Sequence, residues 1–232
     1  MPLSKRLQRI ADYVPAGSRV VDVGTDHGYI PLWLVENGLC ASVIASDIRE
    51  EPLKKAVNNA RKAGAAEQIR FVLAAGLDGC RPEEVDVIII AGMGGETILS
   101  ILEAAPWAHE KLLILQPQTK AAELRNWLNG QNYAMEDASL VDDSGRIYLV
   151  WKLSAGEKLP LTPADLYVDP VLRKKRDPLL RAYVDGLIKK MRSKIQGLEK
   201  AAAADAEELS DSRQALGGFL AIREEWKNAE GK

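Results

Sequence analysis

The stretch RVVDVGTDHGY, residues 19–29, decides the fold. Its first five residues are mostly β-branched and apolar, Gly24 follows them, and residues 29–37 then have the apolar spacing of a helix. A strand, a glycine turn and a helix in this order are typical of the first unit of an α/β fold. The chain that follows should therefore continue the alternation.

Strands and helices do alternate through the next hundred residues. We predict strands at 42–46, 69–73, 85–90 and 111–115, and helices at 50–62, 96–104 and 119–130, the last capped by Thr119. Residues 133–141 and 146–153 then form a hairpin around an Asp-Asp-Ser-Gly turn. Because a dinucleotide-binding sheet lacks this closing hairpin, the pattern predicts a Rossmann-like, seven-stranded class I methyltransferase sheet in an α/β fold.

The composition changes after residues 154–163, which contain two prolines and a glycine. Apolar residues recur there at helical spacing, at positions 180, 184, 187, 191, 195 and 198, and more sparsely at 209, 216, 219 and 226. We predict an α-helical coiled-coil hairpin, and we divide the chain into a domain of residues 1–156 and a hairpin of residues 157–232. Residues 173–200 carry an excess of seven positive charges.

Whole-chain composition excludes several classes of protein. With 47% hydrophobic and 28% charged residues and a net charge of −2, the 232-residue chain has a globular composition and is not a globally basic nucleic-acid binder. Cys40 and Cys80 are too few and too far apart for a disulfide framework or a cysteine zinc site, and we expect no metal. Because residues 1–10 lack a signal-peptide core and no apolar run reaches 18 residues, we expect a cytoplasmic protein without a membrane partner.

The loop after the first strand is the first candidate binding site. Glycines let the backbone approach a ligand, and a helix N-terminus offers unpaired N–H groups. Asp26 replaces the middle glycine of a dinucleotide motif, and its carboxylate would repel a pyrophosphate, so the loop suits the cationic sulfonium of S-adenosyl-L-methionine better. We assign to this cofactor Asp22, Gly24, Thr25, His27 and Gly28. The alternative is a tight turn with a capping aspartate.

Two further loops extend the candidate cofactor site. Asp47 ends the second predicted strand, where a carboxylate can accept from both hydroxyls of a ribose, and Ile48 follows it. Gly76 and Leu77 follow the third strand, in a loop that could meet an adenine ring. Asp47 could instead be the N-cap of the next helix.

The glycine-rich block after the most apolar strand is the candidate substrate site. Gly92, Gly94 and Gly95 leave room for a flat group at the carboxyl edge of the sheet, and Met93 offers an apolar surface to a ring. Gln116 and Pro117 follow the fifth strand at the same edge, and Gln116 could bond a base or cap the next helix. A purely structural glycine turn is the alternative for residues 92–95.

Basic residues are candidates for a phosphate backbone. The positive excess of residues 173–200 suits an RNA-binding arm, from which we single out Lys189, Lys190 and Arg192. Lys5 and Arg6, ahead of the first strand, could extend the same footprint. The alternative is an exposed helix with an ordinary solvated, charged face.

Several of these stretches together resemble the bacterial tRNA (adenine(22)-N(1))-methyltransferase family. The similarity is carried by LSKRLQ at 3–8, GTDHGYIP at 24–31, IAGMGG at 90–95 and LILQP at 113–117, followed by the helical hairpin. It extends over nearly the whole chain. Thr25, Gly28 and Gln118 depart from the usual residues of the family, and we therefore give Gln118 no catalytic role.

The resemblance implies a two-part enzyme, in which one domain binds S-adenosyl-L-methionine and the hairpin helps to hold tRNA while N1 of an adenine is methylated. N1 lies on the pairing edge, so the base must be exposed, and alignment rather than acid–base chemistry should dominate the transfer. A carboxylate would stabilise the cationic ring that forms, and Asp26 is the candidate, with Gly92 and Met93 at the reaction centre. We expect a monomer.

Two other functions remain open from the sequence. A methyltransferase acting on a small molecule or a protein would share the cofactor loops without needing the basic arm. A non-catalytic RNA-binding adapter would need the arm but not the carboxylate of Asp47.

Overall fold

The computed structural model describes residues 2–201 and 205–230, with side chains up to residue 226. It divides into two units, Met1–Lys158 and Leu159–Lys232. The first is an α/β unit and the second is helical.

The first unit is built on one seven-stranded sheet. Its strands are β1 (Ser18–Val23), β2 (Cys40–Asp47), β3 (Ile69–Leu73), β4 (Val87–Gly94), β5 (Leu112–Thr119), β6 (Tyr133–Asp143) and β7 (Arg146–Ala155). They lie in the order β3-β2-β1-β4-β5-β7-β6, and only β7 runs antiparallel to its neighbours. The predicted class I methyltransferase sheet, with its closing hairpin, is confirmed.

The centre of the sheet is fully apolar because helices cover both of its faces. Ile88, Ile89 and Ile90 of β4 are completely buried, as are Leu113, Ile114 and Leu115 of the neighbouring β5. Side chains of this size each stabilise the fold by about 1.5–3 kcal/mol when buried. The sheet therefore holds its carboxyl edge rigidly, and that edge positions the loops described below.

Five helices accompany the sheet. They are α1 (Lys5–Asp12), α2 (Tyr29–Glu36), α3 (Glu50–Lys62), α4 (Gly95–Ala104) and α5 (Ala121–Gly130). The hydroxyl of Ser4 caps α1 by accepting from the backbone N–H of Leu7. Acidic residues begin α3 and basic residues end it, which matches the helix dipole.

The start of α5 differs from the prediction. Thr119 is not the N-cap, because β5 continues through it, and Lys120 precedes the helix in a left-handed conformation with φ of 53°. The turn comes so close to the start of α4 that a Cβ on Gly95 would lie 2.4 Å from the carbonyl oxygen of Lys120. Gly95 is therefore required by packing.

The second unit consists of a short helix α6 (Pro170–Lys175) and two long helices, α7 (Leu180–Lys200) and α8 (Ala206–Glu230). Ion pairs near both ends of the hairpin show that α7 and α8 are antiparallel, because the pair from the start of α7 involves a residue late on α8, while the two pairs from the end of α7 involve residues early on α8. These pairs are Glu199–Arg213, Lys194–Glu208 and Asp185–Arg223. The predicted hairpin is thus present.

The buried stripe of the hairpin was predicted better on α7 than on α8. Five residues of α7 are buried, Leu180, Val184, Ile188, Met191 and Ile195. On α8 the buried positions are Ser212, Ala215, Phe219 and Ile222, of which only Phe219 was expected. Ser212 and Ala215 are small, so a search for large apolar residues does not find these two buried positions. No helix within the described residues is long and apolar enough to span a membrane.

Candidate cofactor and substrate cavity

A cavity of about 550 Å³ opens at the carboxyl edge of the sheet. It lies where β1 and β4, the two central parallel strands, are followed by connections to opposite sides of the sheet. Eleven of the residues predicted for a site line it: Arg6, Asp22, Gly24, Thr25, Asp26, His27, Asp47, Ile48, Gly76, Gly92 and Met93. The cavity has the volume of a small-molecule site.

The loop between β1 and α2 is fixed to β2 by its backbone. The carbonyl oxygen of Ser46 accepts from the N–H groups of Gly24 (2.8 Å) and Thr25 (2.9 Å). Asp26 follows with φ of 51°, a left-handed conformation that aspartate tolerates better than most residues, and its side chain is 62% exposed. The loop thus presents the Asp26 carboxylate to the cavity while its backbone stays anchored.

His27 is held beside this loop by two contacts. Its ring stacks on Tyr29 with centroids 5.3 Å apart, and its carbonyl oxygen accepts from the side-chain amide of Asn59. Its Nε2 lies 3.6 Å from a carboxylate oxygen of Asp26. His27 therefore lies beside Asp26 at the rim of the cavity.

Asp47 is buried, and its carboxylate is held by two backbone donors. Oδ1 accepts from the N–H of Arg49 at 2.9 Å, and Oδ2 accepts from the N–H of Asp26 at 3.3 Å. Each carboxylate oxygen has a further lone pair for a ligand hydroxyl. Ile48 next to it is 67% exposed, an apolar surface beside a hydrogen-bonding one.

Asp22 is an acidic group with little solvent. It is 4% exposed at the end of β1, and burial raises its pKa to about 7, opposed in part by the Thr25 side chain and reinforced by the negative charge of Asp47. A cationic ligand group in the cavity would compensate the charge of the ionised form. Two buried aspartates at one edge thus favour a ligand that is positively charged.

Asp22→Asn is expected to remove a pH-dependent loss of stability. Between about pH 4 and pH 7 the unfolded chain releases the Asp22 proton while the folded chain retains it, so the wild-type free energy of unfolding falls as pH rises through this window. Below the window both states are neutral, and above it the loss is constant. Urea unfolding measured at both ends of the window should show that the free energy of unfolding of Asp22→Asn increases relative to that of the wild type as pH rises. If the difference between the two proteins does not change with pH, the raised pKa is contradicted.

Gly24 and Met93 meet across the cavity. Gly24 has φ of 73°, and a Cβ added to it would lie 2.1 Å from the Cε methyl of Met93. Met93 therefore covers the first loop, and Gly24 provides the space for it. Gly92 also has a positive φ, 77°, but it faces the open cavity, where a Cβ would have no neighbour closer than 3.7 Å.

Gly24→Ala is expected to lower stability by about 1–2 kcal/mol, because alanine is strained in the left-handed region and Met93 must move. Gly130→Ala is the matched control, since Gly130 ends α5 without a positive φ and has open space around it. That control should be neutral or stabilising by up to about 1 kcal/mol. Urea midpoints measure both; equal midpoints for the two variants would argue against the close Gly24–Met93 contact.

Comparison with known proteins is consistent with this site. A family model described as a methyltransferase domain matches residues 3–151. The tRNA (adenine(22)-N(1))-methyltransferase of Bacillus subtilis is 35% identical over 185 residues, which cover 76% of this chain and 77% of that protein. The chain belongs to the tRNA (adenine(22)-N(1))-methyltransferase family.

Solved structures of this family have the same architecture. The Bacillus subtilis m1A22 tRNA methyltransferase TrmK superposes with a TM-score of 0.79 at 31% identity, covering 98% of each chain. A Streptococcus pneumoniae family member in complex with S-adenosyl-L-methionine gives a TM-score of 0.79 at 32% identity, covering 96% of this chain and all of that one. The similarity extends through the helical unit as well as the sheet.

Several residues predicted for the site of this methyltransferase lie outside the cavity lining. They are Gly28, Leu77, Gly94, Gly95, Gln116, Pro117 and Lys5. Lys189, Lys190 and Arg192 belong to the second unit, on the exposed face of α7. Their roles in substrate binding remain predictions.

Local packing explains three of these positions. Gly28 precedes α2 in a left-handed conformation, where a Cβ would lie 2.9 Å from Cβ of Ala56, and Leu77 is buried at 3% exposure. Gln116 is completely buried. The glycine pattern located loops that line the cavity, but it did not separate cavity-lining residues from packing residues.

The structure also adds residues that sequence reasoning missed. Arg49, Thr97, Ile101 and Gln118 line the cavity. Arg49 follows Asp47 by two residues and its Nε lies 3.7 Å from the Asp47 carboxylate, a proximity that the sequence spacing alone could have suggested. Among the described residues no cluster of three or more His, Cys, Asp and Glu side chains has the arrangement of a metal site.

Proposed function

We propose that this protein transfers a methyl group from S-adenosyl-L-methionine to N1 of an adenine in tRNA, at position 22 by its family. The observation that carries the proposal is the single cavity edge at which the buried Asp47, the anchored 24–28 loop and the open Gly92 meet. A cofactor and a purine need adjacent space of this kind. The Bacillus subtilis relative has this activity by name.

The residues present fit the cofactor. Asp47 has free lone pairs for ribose hydroxyls, and the exposed Ile48 offers an apolar surface to an adenine ring. Asp22 and Asp26 provide negative charge for an ammonium and a sulfonium group. The cofactor supplies an electrophilic methyl group on sulfur, so the protein needs no strong base to activate the acceptor nitrogen.

The protein's own task is therefore to align and to shield the reacting atoms. Gly92 leaves space for the acceptor base at the end of β4, and Met93, which covers the cofactor loop, should help to exclude water from it. A ring methylated at N1 is cationic until it loses a proton from N6. Asp26, exposed at the cavity and oriented beside His27, is the carboxylate that stabilises this charge.

The second unit suits the RNA. Lys189, Lys190 and Arg192 are exposed on α7, and none of them forms an ion pair with a described residue. Their charges are thus free for phosphates. We assign residues 1–156 to cofactor binding and 157–232 to tRNA binding, in a monomer that acts on tRNA in the cytoplasm.

Nucleoside analysis tests this function directly. The protein is incubated with methyl-labelled cofactor and an unmodified tRNA that has adenine at position 22, and the digested RNA should contain labelled 1-methyladenosine. A transcript with guanine at position 22 is the matched control and should take up no label. Label in neither transcript, or equal label in both, would refute the proposed substrate.

A further inference from the structure

We propose that Arg6 binds a phosphate of the target nucleotide inside the cavity, and that Gln116 is a positioning residue that orients the Arg6 guanidinium for this contact. The inference rests on the proposed function, because the phosphate belongs to the tRNA. It changes the role predicted for Gln116, from contacting the substrate to holding a residue that does.

Arg6 reaches from α1 to the glycine-rich end of β4. Its Nη1 lies 3.8 Å from the position of a Cβ on Gly92, and the Nε2 amide nitrogen of Gln118 lies 3.7 Å from the same point. Arg6 and Gln118 therefore both border the space above Gly92, where the acceptor nucleotide is proposed to enter. A guanidinium cation and a neutral amide are thus both within reach of a group bound there.

Two contacts fix the Arg6 side chain. Its Nη1 donates to Oε1 of Gln116 at 2.9 Å, and its guanidinium lies over the ring of Tyr148 at 5.3 Å from the centroid. Arg146 lies over the same ring at 5.0 Å. The long side chain thus loses its rotamer freedom before any ligand arrives, which lowers the entropic cost of binding.

Gln116 is suited to holding another residue and unsuited to touching a ligand. It is completely buried, and its Nε2 donates to the carbonyl oxygen of Pro117 at 3.0 Å. Flipping the amide would place its NH₂ against the guanidinium and its oxygen against the carbonyl, so only one orientation satisfies both partners. Oε1 is therefore a fixed acceptor for Arg6.

The guanidinium keeps donors for an anion. Among the described residues no carboxylate lies within 4 Å of it, and the one hydrogen bond it donates goes to a neutral amide. The nearby carboxylate of Asp143 accepts from the backbone N–H of Arg6 and not from its guanidinium. The pKa of Asp143 is held below its ordinary value, mainly by a hydrogen bond from the Ser4 hydroxyl and also by Arg6. The remaining N–H groups match the geometry of a phosphate.

Charge decides which part of the nucleotide Arg6 meets. Methylation at N1 makes the base cationic, so a guanidinium against the pairing edge would oppose the reaction, whereas a phosphate is anionic throughout. The neutral amide of Gln118 has no such conflict with the base. We therefore place the phosphate against the Arg6 guanidinium and the pairing edge of the base against the Gln118 amide.

Arg6→Gln tests the phosphate contact. We expect the KM for tRNA to rise about tenfold. The negative slope of log affinity against log salt concentration should become less steep by about one, since one phosphate contact is lost. The dissociation constant for S-adenosyl-L-methionine should change less than about twofold. Lys62→Gln, which removes an exposed positive charge at the end of α3, is the matched control and should change neither.

Two results would overturn the assignment, and a third would remove the role of the guanidinium fork. A larger loss of cofactor affinity than of tRNA affinity would mean that Arg6 binds the carboxylate of the cofactor. An unchanged KM and salt slope would mean that it binds no anion of the RNA. Arg6→Lys should lose less tRNA affinity than Arg6→Gln but should not reach the wild-type affinity, because lysine keeps the charge without the paired N–H donors of the guanidinium. Wild-type affinity in Arg6→Lys would show that this paired geometry plays no part.

A double-mutant cycle tests the role of Gln116. Gln116→Met keeps an unbranched side chain of similar length without the amide, and we expect it to lower kcat/KM about fivefold when Arg6 is present but less than twofold when Arg6→Gln is already in place. Additive losses would refute the positioning role. Should Gln116→Met not fold, Gln116→Glu retains an acceptor; its charge pairs with Arg6 and should reduce the salt slope as Arg6→Gln does.

These outcomes are separate from the fate of the proposed function. If the wild-type protein methylates no tRNA, the function is wrong. If it methylates adenine 22 and Arg6→Gln has normal KM and salt slope, only the inference about Arg6 is wrong.

Discussion

Asp47→Ala is expected to weaken S-adenosyl-L-methionine binding by about 100-fold while tRNA binding stays within about twofold. The carboxylate is buried at the cavity and would accept from the ribose hydroxyls, and charge-assisted hydrogen bonds of this kind contribute about 1.5–3 kcal/mol each. Its removal also leaves the N–H groups of Asp26 and Arg49 without their acceptor, so the 24–28 loop should loosen. Calorimetry measures the cofactor and filter binding measures the tRNA.

Two further variants separate the causes of that loss. Asp47→Asn keeps one oxygen acceptor and should fall between the wild type and Asp47→Ala. Glu51→Ala, a nearby carboxylate in the first turn of α3 that does not line the cavity, should bind cofactor normally. Equal losses of cofactor and tRNA binding in Asp47→Ala would show that the two ligands are not held by separate parts of the chain.

Reversing three charges on α7, with Lys189, Lys190 and Arg192 all changed to glutamate, is expected to weaken tRNA binding by about 100-fold. Each of these cations is exposed and none pairs with a described acid, so each is available to a phosphate. The slope of log affinity against log salt concentration should become less steep by about three, because about three phosphate contacts are lost. Cofactor affinity should be unchanged, because these residues do not line the cavity.

A control variant with the same change in net charge separates the effect of these positions on α7 from the effect of total charge. Lys55, Arg61 and Lys62 are exposed on α3, and changing all three to glutamate should alter tRNA affinity by less than about threefold. If this control weakens binding as much as the α7 variant does, net charge and not the hairpin governs the interaction. Unchanged affinity in the α7 variant would remove the hairpin from the binding surface.

The sequence predicted most of the sheet because strand and helix patterns are local. The bounds Glu50–Lys62 and Ile69–Leu73 are the predicted ones, and the errors lie at element ends, as at Thr119, where strand and helix signals overlap. The short helix α6 was missed, since six residues carry too little periodicity. On α8 the buried face consists partly of Ser212 and Ala215, whose burial depends on tertiary packing and not on their own hydrophobicity.

Some residues of the candidate site were likewise predictable from local sequence patterns, whereas others depend on tertiary packing. Glycines and acids at the ends of β1, β2 and β4 were predictable, because the carboxyl ends of parallel strands meet at one edge. Gly95 and Gly28 are glycines for a different reason, the close approach of Lys120 and Ala56, which no spacing reveals. Arg6 was grouped with Lys5 as an extension of the phosphate-binding footprint, yet it lies half-buried in the cavity beside Gly92 while Lys5 is exposed.

By itself the sequence determined the order of strands and helices, the closing hairpin and the loops that line the cavity, since each follows from side-chain patterns within a few residues. Only the tertiary structure decided which glutamine faces the cavity. A strand period of two would give Gln116 and Gln118 the same face, but two register shifts between β4 and β5 leave Gln116 fully buried and Gln118 exposed. Such shifts depend on how neighbouring strands pair, and that pairing joins residues about 25 positions apart.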